Sequence, residues 1–125
     1  MRVTVTGAGG VLGRGLVARL LSEGHEVTGI ARRRPESWPS AARFVTADIR
    51  DADAVRRAVS GATVVAHCVA ARGTDDIQGA ANLLAAMAEN GSGRIVFTSC
   101  AQIYGAGSRP ATEDGPLNPT SSVGR

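Results

Sequence analysis

Short β-branched runs alternate with stretches of helical period from the first residues of this chain onward. Val3-Thr4-Val5-Thr6, closed by Gly7, has the composition of a pleated strand. Leu12, Leu16, Val17, Leu20 and Leu21 then recur at helical spacing and predict an amphipathic helix over residues 11–22, with Gly24 near its C-cap. His25 to Ile30 and Arg43 to Ala47 predict a second and a third strand, separated by a Pro- and Ser-containing loop from Pro35 to Ser40. Trp38, the sole tryptophan, is expected to anchor that loop on the domain surface.

Asp51 is the expected N-cap of a helix reaching Val59. The nearly continuous apolar run from Thr63 to Val69 predicts a buried, central fourth strand. A long helix beginning at Asp75 or Asp76 follows, with Ile77, Ala80, Leu83, Leu84, Met87 and Ala88 expected to face the sheet and Asn90-Gly91 ending it. Arg94 to Ser99 is the fifth strand.

Strand and helix in alternation predict an α/β, Rossmann-like fold: an open, doubly wound parallel sheet of five strands in the order 3-2-1-4-5. A chain of 125 residues fits one such domain. Residues 1–105 are expected to form it, and residues 106–125, rich in Gly, Pro, Ser and Thr, to be a loop or disordered tail.

Composition narrows the function classes. All 14 basic residues are arginine and the net charge is only +3. The arginines are scattered except at Arg32-Arg33-Arg34 and carry no interleaved aromatics, so no nucleic-acid partner is expected. Cys68 and Cys100 show no metal-ligand spacing, and no metal is expected. No apolar run approaches the roughly twenty residues of a membrane span, and the N-terminus enters a strand directly. A cytoplasmic, reduced protein without membrane attachment is the expectation.

The chemistry begins at Thr6-Gly7-Ala8-Gly9-Gly10-Val11-Leu12-Gly13. A glycine turn between a strand and a helix aims unpaired backbone N–H groups and the positive end of the helix dipole at one point, which attracts phosphate. Gly7, Gly10 and Gly13 have the G-x-x-G-x-x-G spacing, and Gly13 would let the helix pack closely on the strand. About twenty positions beyond such a turn, a carboxylate holds a ribose 2′-hydroxyl, whereas arginine accommodates a 2′-phosphate. That place reads Ile30-Ala31-Arg32-Arg33. NADP is therefore favoured, with NAD the alternative, and Arg32 precedes Arg33 as the candidate contact.

With these residues in view, the chain resembles the extended short-chain dehydrogenases/reductases, also called NAD-dependent epimerases/dehydratases. Residues 6–13 resemble the family's TGxxGxxG signature, Asp48-Ile49 its acidic-aliphatic pair, and Val65 to Ala70 its VxHxAA strand end. Gly79-Ala80-Ala81-Asn82-Leu83-Leu84 is similar to GTxNLL, and Thr98 to Gly105 to SSxxxVYG. The resemblance implies that Gly7, Gly10, Val11 and Leu12 touch a pyrophosphate, Asp48 and Ile49 an adenine, and Cys68, Val69 and Ala70 the middle of the dinucleotide. His67, inside that strand, is expected to be a packed, hydrogen-bonded residue.

The family's reaction, as the resemblance implies it, uses a tyrosine, a lysine four residues later and an orienting serine or threonine. Here Cys100 stands at the serine/threonine position, and a thiol is the weaker donor. Ser99 would point to the opposite face. Val123 stands at the tyrosine position, Asp76 replaces the family asparagine, and no lysine occurs. The chain therefore looks truncated relative to the family, lacking its catalytic pair and leaving the fifth strand as an open edge for self-association or a partner. It is expected to bind a nicotinamide dinucleotide, with NADP-dependent reduction or epimerisation of an unknown small oxygenated metabolite as the ancestral chemistry. The alternatives are a catalytically silent NADPH-dependent regulatory or interaction module, and an inactive fragment of a longer enzyme.

Overall fold

The computed structural model describes residues 1–69, 74–91, 93–106 and 110–121. The chain runs β1 (Arg2–Thr6), α1 (Val11–Ser22), β2 (Glu26–Ala31), β3 (Arg43–Thr46), α2 (Ala52–Val59), β4 (Val64–His67), α3 (Thr74–Glu89) and β5 (Arg94–Phe97), followed by a 3-10 turn at Ala101–Tyr104. The strands form one sheet in the order β3-β2-β1-β4-β5, with every neighbouring pair parallel. This is the predicted doubly wound topology. Because the strands are parallel, all their carboxyl ends reach one edge.

The pleat sorts the core into two layers. Val3, Val5, Val27 and Ala66 pack with Val17 of α1 on one face. Ile30 and Val65 pack on the other with Ala54, Val55, Ala58 and Val59 of α2 and with Leu83, Ala86 and Met87 of α3. Both designated helix signals operate. The Asp51 carboxylate accepts from the Ala54 N–H at 3.0 Å at the start of α2, and Gly24, at φ +77°, closes α1 while its N–H donates to Leu21 O. β4 and β5 end at His67 and Phe97, two residues short of the predicted runs. Cys68 and Thr98 make their last sheet bonds, to Thr6 O at 3.2 Å and His67 O at 3.1 Å, as the chain turns out of the ladder.

Two expectations are corrected. Trp38 is not on the surface: it is 8% exposed and belongs to the α1-side core. Its ring occupies the space that Gly29 leaves in the middle of β2, where a Cβ would collide with the indole. The indole N–H donates to Ala42 O at 2.9 Å, and the ring meets Phe44 edge-on with centroids 4.8 Å apart.

The buried stripe of α3 is also rotated from the predicted one. Gly79, Asn82, Leu83, Ala86 and Met87 face inward, whereas Ile77 and Leu84 are 68% and 55% exposed. The reason is Ile49, whose side chain fills the space over Gly79, and whose carbonyl accepts from the Asn82 amide at 2.9 Å. A small residue and a polar one at the interface outcompete two larger hydrophobes.

Candidate functional site

The sheet's carboxyl edge gathers the predicted residues from four successive connections. At the first, Gly7 adopts φ +67°, a region that favours glycine. A Cβ on Gly7 would lie 2.6 Å from Cys68 O and 2.9 Å from Val69 N. The glycine therefore sets how closely the turn after β1 approaches the end of β4, and this contact brings Gly7, Cys68 and Val69 together. Ala8, fully buried, donates its N–H to Ile30 O at 3.1 Å, which ties the same turn to β2.

Gly10 is the N-cap of α1 and carries no side chain over the helix end. A Cβ on Gly13 would collide with Gly7 O, so the first turn of α1 sits directly on the glycine turn. No acidic residue lies in that first turn. The leading N–H groups of a helix have no intrahelical acceptors. Val11 and Leu12 are 86% and 54% exposed around them, apolar side chains at a position where solvent alone would favour polar ones. The result is an anion-attracting helix end in an apolar surround.

Arg32 and Arg33 follow β2, and both are exposed. Asp48 follows β3, and the two exits are adjacent because Ala31 pairs with Thr46 and Ala47 N–H donates to Ala31 O. The Asp48 carboxylate is engaged by Arg50. Oδ1 accepts from the Arg50 backbone N–H and from Nε, both at 3.0 Å, and Oδ2 accepts from Nη2 at 2.8 Å. These side-chain and backbone hydrogen bonds, with a smaller contribution from the charge of Arg32, pull the Asp48 carboxyl down from 3.8 to about 2. It is an anion at any working pH.

Ile49 is held separately by α3. Asn82 donates to Ile49 O, and Gln78 Nε2 in turn donates to Asn82 Oδ1 at 2.9 Å. Arg50 has no role in the sequence reading, and Asn82 enters it only as the asparagine of the GTxNLL-like segment, with no contact assigned. The i to i+2 spacing of Asp48 and Arg50 is that of an Asx turn and could have signalled the first. The second depends on a contact 33 positions away in sequence.

His67 is fully buried, and its Nδ1 lies 2.8 Å from the Thr6 hydroxyl, in the packed, hydrogen-bonded state expected of it. Its ring stacks on Phe97 with centroids 4.8 Å apart. The Thr98 hydroxyl points to Cys68 Sγ at 3.8 Å. Cys100 caps the 3-10 turn after β5, accepting through its carbonyl from Ile103 N–H at 3.3 Å. The later chain returns to this turn: Asn118 N–H donates to Ile103 O at 3.0 Å, and Ser121 Oγ donates to Gln102 Oε1 at 2.7 Å. Ala70, Val123 and the side chain of Asp76 lie outside the described residues. Among the described residues, no group of His, Cys, Asp or Glu could hold a metal ion, and no helix is long and apolar enough to cross a membrane.

Residues 3–124 match the family described as NAD dependent epimerase/dehydratase. The chain is 69% identical over 102 residues to an uncharacterized protein of Mycobacterium tuberculosis, an alignment covering 79% of this chain and 12% of that protein. Its structure is similar to a short-chain dehydrogenase/reductase superfamily protein from Agrobacterium tumefaciens with bound NAD. The TM-score is 0.87 at 30% identity, over 99% of this chain and 41% of that one. It is also similar to the UDP-glucose 4-epimerase of Thermus thermophilus in complex with NAD, with a TM-score of 0.86 at 32% identity, over 99% of this chain and 46% of that one. The chain thus spans less than half the length of each of these relatives.

Proposed function

This chain belongs to the NAD dependent epimerase/dehydratase family, and on that premise we propose that it binds a nicotinamide dinucleotide across the carboxyl edge of its sheet. The reaction proposed for the protein is reduction or epimerisation of a small oxygenated metabolite. The carrying observation is the glycine-lined opening of α1. Gly7 and Gly13 have no room for a Cβ, and no acidic side chain opposes an anion at the helix end. A pyrophosphate fits those requirements. The NAD bound by both similar structures supports the same reading.

In this proposal the backbone at Gly7, Gly10, Val11 and Leu12 receives the pyrophosphate, and Gly13 keeps α1 close. Asp48 and Ile49 flank the adenine, and Cys68, Val69 and Ala70 line the middle. Arg32, then Arg33, receives a 2′-phosphate, which makes NADP the preferred form and NAD the weaker one. Cys100 is the proposed contact at the reacting end, at the place of the family's serine or threonine. The nicotinamide supplies the hydride acceptor or donor when bound; the chain's own residues orient it and exclude water.

Titration of the folded protein with NADPH and NADH, followed by quenching of Trp38 emission and by calorimetry, tests the proposal. Saturable binding with NADPH tighter than NADH is expected. Absence of binding by a protein whose circular dichroism shows it folded would refute dinucleotide binding, and tighter NADH would refute the NADP preference alone.

A further inference from the structure

Three features of the site bear on how it would tell one dinucleotide from another. Arg32 and Asp48 emerge side by side from paired strands, close enough that the arginine's charge acts on the carboxyl. Arg50 engages both carboxylate oxygens through its backbone N–H and two guanidinium nitrogens, at 2.8 to 3.0 Å. Among the described residues Arg32 makes no salt bridge.

We infer that Arg50 is a specificity-determining residue acting through Asp48: by occupying that carboxylate, it keeps Arg32 available for a ribose 2′-phosphate. This rests on the dinucleotide reading above. Two physical effects act together. A forked guanidinium–carboxylate contact neutralises an anion that would otherwise repel a phosphate nearby. The fork also removes the strongest competitor for the Arg32 guanidinium. Arg50 needs no contact with the nucleotide for either effect.

The distinguishing measurement is a ratio taken at the adenosine end. Dissociation constants for AMP and for adenosine 2′,5′-bisphosphate are measured by calorimetry on the wild-type chain, Arg50→Gln, Asp48→Asn and the double variant. The wild type should prefer the bisphosphate. Arg50→Gln should lower that preference about five-fold, the scale of an exposed ion pair, while in the Asp48→Asn background the same change should do nothing further.

Because each ratio is taken on a single protein, a general loss of stability cancels. Arg50→Lys, which keeps the charge without the fork, gives an intermediate ratio and serves if the glutamine variant does not fold. An unchanged ratio in Arg50→Gln overturns the inference. So does an equal loss with and without Asp48, which would make Arg50 a direct phosphate ligand. A wild type that binds both nucleotides without preference overturns this inference and leaves dinucleotide binding standing; one that binds neither overturns both.

Discussion

Alanine at Gly13 should destabilise this protein, whereas alanine at Gly15, two residues along the same helix, should stabilise it. A Cβ on Gly13 would lie 2.8 Å from both the Ala8 Cα and the Gly7 carbonyl carbon, and closer still to Gly7 O. Carbon atoms in proteins rest about 3.5–4.0 Å apart, so α1 must retreat from the glycine turn by roughly 1 Å. All three obstacles are backbone, which cannot swing aside as a side chain can. Overpacking costs about 1–3 kcal/mol, and backbone obstacles place Gly13 in the upper part of that range.

The better helix propensity of alanine returns about 1 kcal/mol. A net loss of about 2 kcal/mol remains at Gly13. At Gly15 a Cβ would meet nothing within 4 Å. There the propensity gain of about 0.5–1 kcal/mol stands unopposed. The variants should therefore differ by about 3 kcal/mol. With a urea dependence of about 1–3 kcal/mol per molar, their midpoints fall about 1–3 M apart. Urea unfolding followed by Trp38 emission and circular dichroism measures this. A Gly13→Ala protein as stable as wild type would refute the close packing of α1 on the glycine turn.

Two further outcomes test the carboxylate and the buried histidine. The folded-state carboxyl of Asp48 is lowered from 3.8 to about 2, so its contribution to stability is present above the unfolded value and is lost as pH falls from about 4 through about 2. With the side chain 31% exposed, solvent screening reduces that contribution to about 1 kcal/mol or less. Urea midpoints of wild type and Asp48→Asn should converge across this window; curves that stay parallel from pH 5 to pH 2 would contradict the assignment. Thr6→Val removes the hydroxyl 2.8 Å from His67 Nδ1 in a fully buried pair, and should cost about 1–3 kcal/mol. Thr6→Ser should retain most of that stability, and equal stability of the valine and serine variants would show that the contact contributes little.

Periodicity along the chain was enough for the elements and their parallel, doubly wound arrangement. Strand alternation and helix spacing are local properties, and a β-α-β connection admits few topologies. The glycine spacing, the Asp51 cap and the Gly24 terminator were legible for the same reason: each acts within a few residues of itself.

Contacts between distant segments were not legible. Its place in a Pro- and Ser-containing loop put Trp38 on the surface, and helical spacing put Ile77 and Leu84 inside, yet Gly29 opens a site for the indole and Ile49 turns α3 toward Gly79 and Asn82. The candidate site divides along the same line. Local pattern alone reveals a glycine-rich strand-to-helix turn and a pair of arginines. Only the folded sheet sets the exit carrying Arg32 beside the one carrying Asp48, because adjacent exits from β2 and β3 follow from strand pairing rather than from any local pattern.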